Sequence, residues 1–246
     1  MQVFSTNPWF QSLPQQAAEA LLEAATTVQV AAGAFLFRQG DPVDAGTNAF
    51  FGVASGVLKL SIFNAEGDEA ILALVEPGNW FGGVSTLDQQ PRGHCAIALE
   101  EAEVLAVSAE RFEALMRDAA FAAAIARLVA MRLRLAYGSL ASAALHGTRT
   151  RVARRIAMLA HGDVSQSAQG RATINTSQDA LAMMLGISRQ TLSKELQALV
   201  KLGACDPFLI ANWLDIGVQA VKVPEVCVGR IGSWNHLPMP CSTIRG

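Results

Sequence analysis

The stretch that most restricts how this chain can fold is Thr176 to Lys201, TSQDALAMMLGISRQTLSKELQALVK. It reads as two short helices joined by a tight turn. Thr176 can cap the first helix, with Asp179 three residues on completing a weak capping box. Leu181 and Leu185, four apart, supply its buried side, and Gly186 ends it where the backbone turns left-handed at no Cβ cost. Ile187 plugs the corner, and Ser188 caps the second helix. On that helix Leu192, Leu196 and Leu199 fall on one inward stripe. Arg189, Gln190, Ser193, Lys194 and Gln197 fall on the opposite face, and long multi-donor side chains of this kind reach base edges in a major groove. An ordinary helical hairpin with a solvated face shares the leucine pattern. Turn glycine, cap and polar face together favour a helix-turn-helix.

Length and composition set the frame for that motif. The chain has 246 residues, 51% hydrophobic and 16% charged, which suits two modest globular domains. No apolar run approaches the roughly 18 residues of a membrane span. The opening MQVFSTNPWFQSLPQQ has neither a basic start nor an apolar signal core, so a cytoplasmic protein with no membrane partner is expected. Cys95, Cys205, Cys227 and Cys241 form no CxxC pair and no His/Cys cluster, so no metal site is expected. The net charge of −2 conceals an asymmetry: residues 1–117 carry 5 Lys/Arg against 14 Asp/Glu, whereas 148–204 carry 8 against 3. Positive charge gathers around the helix-turn-helix, where phosphate binding needs it, and the acidic front half would repel DNA. Two separate jobs are implied.

Ahead of the motif the pattern changes twice. Residues 9–24 read as a short leading helix. From Val28 onward come short strands, with candidates at 28–37, 49–54, 57–63, 70–75, 94–99 and 103–108. Gly40-Asp41, Gly56, Gly67-Asp68 and Pro77-Gly78 punctuate them. Leu58, Leu60 and Ile62 alternate with Lys59, Ser61 and Phe63, as in a half-buried strand. Many short strands with regular turns predict a β-roll or jelly-roll barrel. Ser108 then caps a short helix, and a longer one runs from about Ala119 to Leu145 with 11 alanines. Phe121, Ile125, Leu128 and Leu135 are spaced 4, 3 and 7 apart, a heptad-like seam that is expected to pair with a second copy. Core packing of the same residues is the competing reading, and Arg132 occupies the missing seam position. A further helix over 149–159 turns Val152, Ile156 and Leu159 inward.

With strands, a long helix and a helix-turn-helix in that order, the sequence resembles the bacterial cyclic-AMP receptor protein / fumarate-nitrate-reduction regulator (Crp/Fnr) family of transcription factors. The resemblance covers roughly residues 8–204 and is most specific in GISRQTLSKELQAL and WFGGVSTLDQQPRGHCAIA. It implies an α+β architecture: an N-terminal cyclic-nucleotide-binding-like β-roll over 1–117, a dimerisation helix over 118–147 and a helix-turn-helix domain over 148–204. It implies a homodimer on a palindromic double-stranded operator, with RNA polymerase a further candidate partner. Arg189, Gln190 and Lys194 sit where the family places base-reading side chains; Arg189 would bridge a guanine and Gln190 an adenine edge. Phosphate contacts are expected from Thr176, Ser177 and Gln178 at the start of the first helix, and from Ser188, Thr191 and Ser193 around the second.

The sensory pocket departs from the family pattern. Members that bind cyclic AMP carry FGE, whose glutamate holds the ribose hydroxyl, and then R[ST]A, whose arginine pairs with the cyclic phosphate. Here the segment reads FGG and RGH: Gly83 replaces the glutamate and Gly93 the hydroxyl residue. The effector pocket would comprise Gly82, Gly83, Val84, Ser85, Arg92, Gly93, His94 and Tyr137. Arg92 would remain as an anion anchor, helped by N–H groups around Gly82, Gly83 and Val84. A surface turn arginine is the bland alternative for Arg92, and core packing for Tyr137. Losing a buried charged partner costs about 1.5–3 kcal/mol, so cyclic AMP is not expected to be a tight ligand. The effector is otherwise an unknown small molecule, and no cofactor is expected.

After residue 204 the family's wing, a β-hairpin, is not recognisable. The stretch 205–246 holds three of the four cysteines and four of the nine prolines, so the wing is expected to be atypical or missing. A shifted reading frame and a divergent extension both account for such a change. The function expected is a ligand-responsive, sequence-specific, homodimeric DNA-binding regulator with no catalytic residues. One alternative is a β-roll sensor acting through protein contacts with an impaired DNA-binding part; another is a cupin-like metalloenzyme.

Overall fold

The computed structural model describes residues 2–44, 46–165, 173–202 and 220–222. It forms two compact units, Met1–Leu145 with Gly162–Ser167, and His146–His161 with Ala168–Gly246.

The first unit opens with a single 3-10 turn at Phe4–Thr6 and two helices, α1 (Pro8–Gln11) and α2 (Gln15–Ala24). Asn7 begins α1 by accepting hydrogen bonds from the N–H groups of Trp9 and Phe10. Eight strands follow: β1 (Thr26–Val30), β2 (Phe35–Phe37), β3 (Asn48–Ser55), β4 (Leu58–Phe63), β5 (Glu69–Val75), β6 (Trp80–Gly82), β7 (Cys95–Ala98) and β8 (Ala102–Ser108). A short helix, α3 (Val84–Asp88), sits between β6 and β7. The strands make two four-stranded antiparallel sheets, β1-β8-β3-β6 and β2-β7-β4-β5, the β-roll that the short-strand pattern predicts. Phe37, Phe51, Val53, Leu58, Phe81 and Val104 fill the roll. The other face of the first sheet is covered by helices, through a second core of Phe4, Trp9, Leu21, Phe50, Trp80 and Phe112. Adjacent Phe50 and Phe51 therefore serve opposite faces of β3, as the two-residue period of a strand requires.

Two strand expectations need correction. The run 28–37 is not one strand: β1 and β2 belong to different sheets, with Gly33 at φ +76° in the corner between them. In β4 the pairing with β5 slips between Leu60 and Ser61. The extra residue is Leu72 on β5, since β4 keeps its register with β7 from Leu58 to Ser61. Against the predicted alternation, Ser61 is buried and Ile62 is 37% exposed. The Ser61 hydroxyl is accommodated by donating to Glu69 Oε1 at 2.6 Å.

Helix α4 (Ala109–Leu115) is capped by Ser108, whose hydroxyl accepts from the Arg111 N–H, and α5 (Ala119–Leu145) follows. The seam proposed for a partner is not a free surface. Phe121, Ile125 and Leu128 are buried in the unit's own helix-side core, Phe121 packing edge-on against Phe112 at 6.1 Å between ring centroids. Leu135 is only partly covered. Besides Leu145 at its end, the exposed large apolar side chains of α5 are Val129, Leu133, Tyr137 and Leu140, spaced 4, 4 and 3 apart along a different face.

The second unit comprises α6 (Thr148–Ala160), β9 (Thr173–Asn175), α7 (Gln178–Leu185), α8 (Arg189–Lys201) and β10 (Ala220–Lys222). Val152, Ile156, Leu181, Leu192, Leu196 and Leu199 are buried in it. The stretch after 204 is not without a wing strand: β10 pairs antiparallel with β9, placing Val221 opposite Ile174. An atypical wing, rather than a missing one, fits that pairing. The remaining expectations for the tail lie outside the described residues.

Candidate DNA-reading surface and effector pocket

Local chemistry fixes the two helices of the motif. Ser177, not Thr176, is the N-cap of α7, its hydroxyl accepting from the Ala180 N–H at 3.0 Å. Gly186 takes the left-handed conformation (φ 62°, ψ 40°) that turns the chain. Ser188 caps α8 by accepting from the Thr191 N–H. The orphan carbonyl of Leu185 accepts from Arg151 Nη2 at 2.5 Å, a cation at the negative end of α7. Arg149 on α6 pairs with Glu195 on α8 at 2.8 Å, which ties the outer helix to the bundle.

With the leucine stripe buried, α8 presents the residues expected of a reading helix. Arg189, Gln190, Lys194 and Gln197 are exposed and Ser193 partly so. With Gln178 they line one concavity of about 540 Å³. Arg189 Nε lies 3.8 Å from Asp179 Oδ1, and both side chains are more than half exposed. That pair is weak in water and yields readily to a better acceptor. Among the residues assigned to phosphate, Ser177 and Ser188 are exposed caps, and Thr191 and Ser193 are partly covered. Thr176 and Gln178 are buried instead, at 5% and 3% exposure, because the chain enters α7 over the domain core. Thr176 is thereby withdrawn as a phosphate contact, and Gln178 reaches outward only as an edge of the concavity.

In the β-roll, Arg92 turns inward. Its guanidinium donates to the carbonyls of Asn48 (2.5 Å) and Ala49 (3.4 Å) and stacks 4.3 Å above the Phe37 ring. Burial lowers its pKa to about 10, partly offset by Asp41, so it stays charged at neutral pH. A surface turn arginine is thus excluded: the side chain is buried, with two of its five N–H donors on main-chain carbonyls. His94 packs edge-on against Phe37, with Nε2 buried and unpartnered. Burial, then the charges of Arg92 and Arg132, push its pKa down to about 4, so the ring is neutral at pH 7.

The glycine pair beside them is tightly used. Gly82 and Gly83 both have positive φ, and the Gly83 N–H donates to the Ala49 carbonyl at 2.8 Å rather than pointing into free space. A Cβ on Gly83 would lie 3.0 Å from Phe112 Cζ and 3.3 Å from Phe50 Cδ2. Ser85 is buried against the Pro91 carbonyl, Val84 and Gly93 are exposed, and Tyr137 is 62% exposed on α5. The structure therefore gathers Gly82, Gly83, Ser85, Arg92 and His94 around β3, β6 and β7. It does not turn Tyr137 into that group. Sequence reasoning left Trp80 out of account and read Arg132 only as a gap in the seam, although a lone arginine in an apolar helix face was the available signal. Among the described residues no cluster of three or more His, Cys, Asp or Glu is placed to hold a metal ion, and no helix is long and apolar enough to cross a membrane.

Comparison with known proteins matches residues 27–119 to the cyclic nucleotide-binding domain and residues 150–208 to the Crp-like helix-turn-helix domain. The chain is 36% identical over 173 residues to the cyclic AMP receptor protein of Thermus thermophilus, covering 68% of this chain and 77% of that one. The chain belongs to the Crp/Fnr family. A cAMP-activated global transcriptional regulator of Mycobacterium tuberculosis is 26% identical over 189 residues, covering 76% of this chain and 83% of its own length. FixK2 from Bradyrhizobium japonicum shares the fold, with a TM-score of 0.68 at 17% identity over 85% of this chain and 96% of that one. As a Crp/Fnr member, the protein combines a cyclic-nucleotide-binding-type β-roll with a DNA-binding helix-turn-helix, and its family consists of transcription regulators.

Proposed function

We propose that this Crp/Fnr protein is a homodimeric, effector-responsive regulator that reads a palindromic operator with Arg189, Gln190 and Lys194. The carrying observation is the free face of α8, where these side chains and Gln197 border one concavity while the leucines on the opposite side are buried. A flat recognition helix of this kind enters a major groove, and two copies related by a two-fold axis would read half-sites about one helical turn apart. The apolar row Val129, Leu133, Tyr137 and Leu140 on α5 is the surface that would bring the copies together. Selection from a pool of random duplexes tests this. An enriched inverted repeat is expected; an enriched sequence without two-fold symmetry, or none at all, contradicts it.

The effector bound by the β-roll is proposed to be something other than cyclic AMP. Gly83 supplies no carboxylate for a ribose hydroxyl, a side chain there would take a positive φ and crowd Phe112, and two of the Arg92 donors are already engaged by main-chain carbonyls. The names of the relatives point the other way, which makes a calorimetric titration decisive. No cyclic AMP binding is expected in the micromolar range; a micromolar Kd would contradict the proposal.

A further inference from the structure

On the helix side of the first sheet lies a hollow of about 300 Å³, bordered by Asn7, Trp9, Trp80, Leu128, Met131 and Arg132. Its wall comes mainly from the helix-side core, through Trp9, Trp80 and Leu128, with Val164 of the roll-side core at its edge; Phe37, Phe51 and Phe81 around Arg92 do not line it. Its polar groups are unevenly satisfied. Asn7 Nδ2 donates to Asn79 Oδ1 at 3.0 Å, Asn79 Nδ2 donates to the Glu76 carbonyl, and Trp9 Nε1 donates to the Ala124 carbonyl at 2.8 Å. Two donors are left over. Trp80 Nε1 and Arg132 Nε are buried with no hydrogen-bond partner. The two residues are neighbours, since Arg132 Nη2 donates to the main-chain carbonyl of Trp80.

The charge is also uncompensated. Among the described residues no carboxylate pairs with Arg132, and burial alone shifts its pKa, to about 10, so it remains a cation at neutral pH. A largely covered cation with no carboxylate partner, bordering a hollow, calls for an acceptor that carries negative charge. Trp9, Leu128, Met131 and Val164 give the hollow an apolar side that suits a hydrocarbon or aromatic body, and Arg127 adds a second cation to its wall. At the ~30 Å³ of a liquid water, the hollow has room for roughly ten non-hydrogen atoms.

We propose that this hollow is a second small-molecule site, for a monocarboxylate with a compact apolar body, whose carboxylate pairs with the Arg132 guanidinium. The site does not depend on the reading of α8 or of the roll pocket, so its success or failure leaves those untouched. Calorimetric titration of the full-length protein with sodium benzoate and sodium octanoate, each against its alcohol, tests it. The acids should bind saturably with Kd in the millimolar range or tighter, at least about tenfold tighter than benzyl alcohol and octanol. Arg132→Gln should abolish that preference, Arg132→Lys should retain part of it, and Met131→Trp, which fills the hollow, should remove binding of both acids. Equal binding of acid and alcohol by the unmodified protein overturns the proposal whether or not the variants fold. So does the absence of acid binding, unchanged benzoate affinity in Met131→Trp, or an equal response to inorganic phosphate alone.

Discussion

Burying a guanidinium obliges the fold to supply acceptors, and Arg92 finds them on the carbonyls of Asn48 and Ala49, more than forty residues earlier in the chain. The family resemblance of the FGG and RGH segments marks Arg92 as notable, but its direction depends on where β3 passes, which no local pattern records. His94 beside it carries a testable consequence. Its pKa falls from 6.5 in the unfolded chain to about 4 in the fold, so between those values the unfolded state binds a proton that the native state refuses. Stability is therefore full above pH 6.5 and declines as pH falls toward 4, by roughly 3 kcal/mol at 1.36 kcal/mol per pKa unit. Urea unfolding of the wild type should show that slope and His94→Phe should flatten it; an equal slope in both would reject the assignment. Thr176 illustrates a different limit: Thr176 and Ser177 are both good caps by type, and only the geometry of the Ala180 N–H selects Ser177.

Elements add constraints that residues alone do not carry. The alternation Leu58, Leu60, Ile62 correctly marks a strand, yet Ser61 rather than Ile62 is buried near its end, where Glu69 on the neighbouring strand accepts from the Ser61 hydroxyl, a cross-strand partner that a two-residue period does not record. In α5 the heptad-like spacing of Phe121, Ile125 and Leu128 is real, but it reports packing against α4 and the first sheet, because a buried face and a partner face have the same period. The outward row at Val129, Leu133, Tyr137 and Leu140 has that period too and is diluted by alanines and Gly138. Leu133 is 48% exposed, so Leu133→Asp costs the isolated fold little. Light scattering should report a monomer for Leu133→Asp at concentrations where the wild type is a dimer, with unaltered far-UV circular dichroism. A dimer that survives the substitution would remove this row from the interface. By contrast, the two-helix motif was legible almost residue by residue, because turn glycine, serine cap and leucine stripe are all local signals.

At the scale of the molecule, the charge split found in the sequence has a structural counterpart. The acidic residues concentrate in the β-roll unit, and the basic ones surround α6, α7 and α8 in the other. A regulator of this kind needs only one part to approach phosphates, and the division keeps the other from competing. What ties the two into one function is the claim that α8 reads bases rather than merely lying exposed. The most direct test is to repeat the duplex selection with Arg189→Ala and compare preferences position by position. Arg189→Ala should lose the preference for one guanine in each half-site, worth about 1–3 kcal/mol, with the other positions retained. An Arg189→Ala protein that selects the same sequences as the wild type, with the same preference at every position, would contradict that claim.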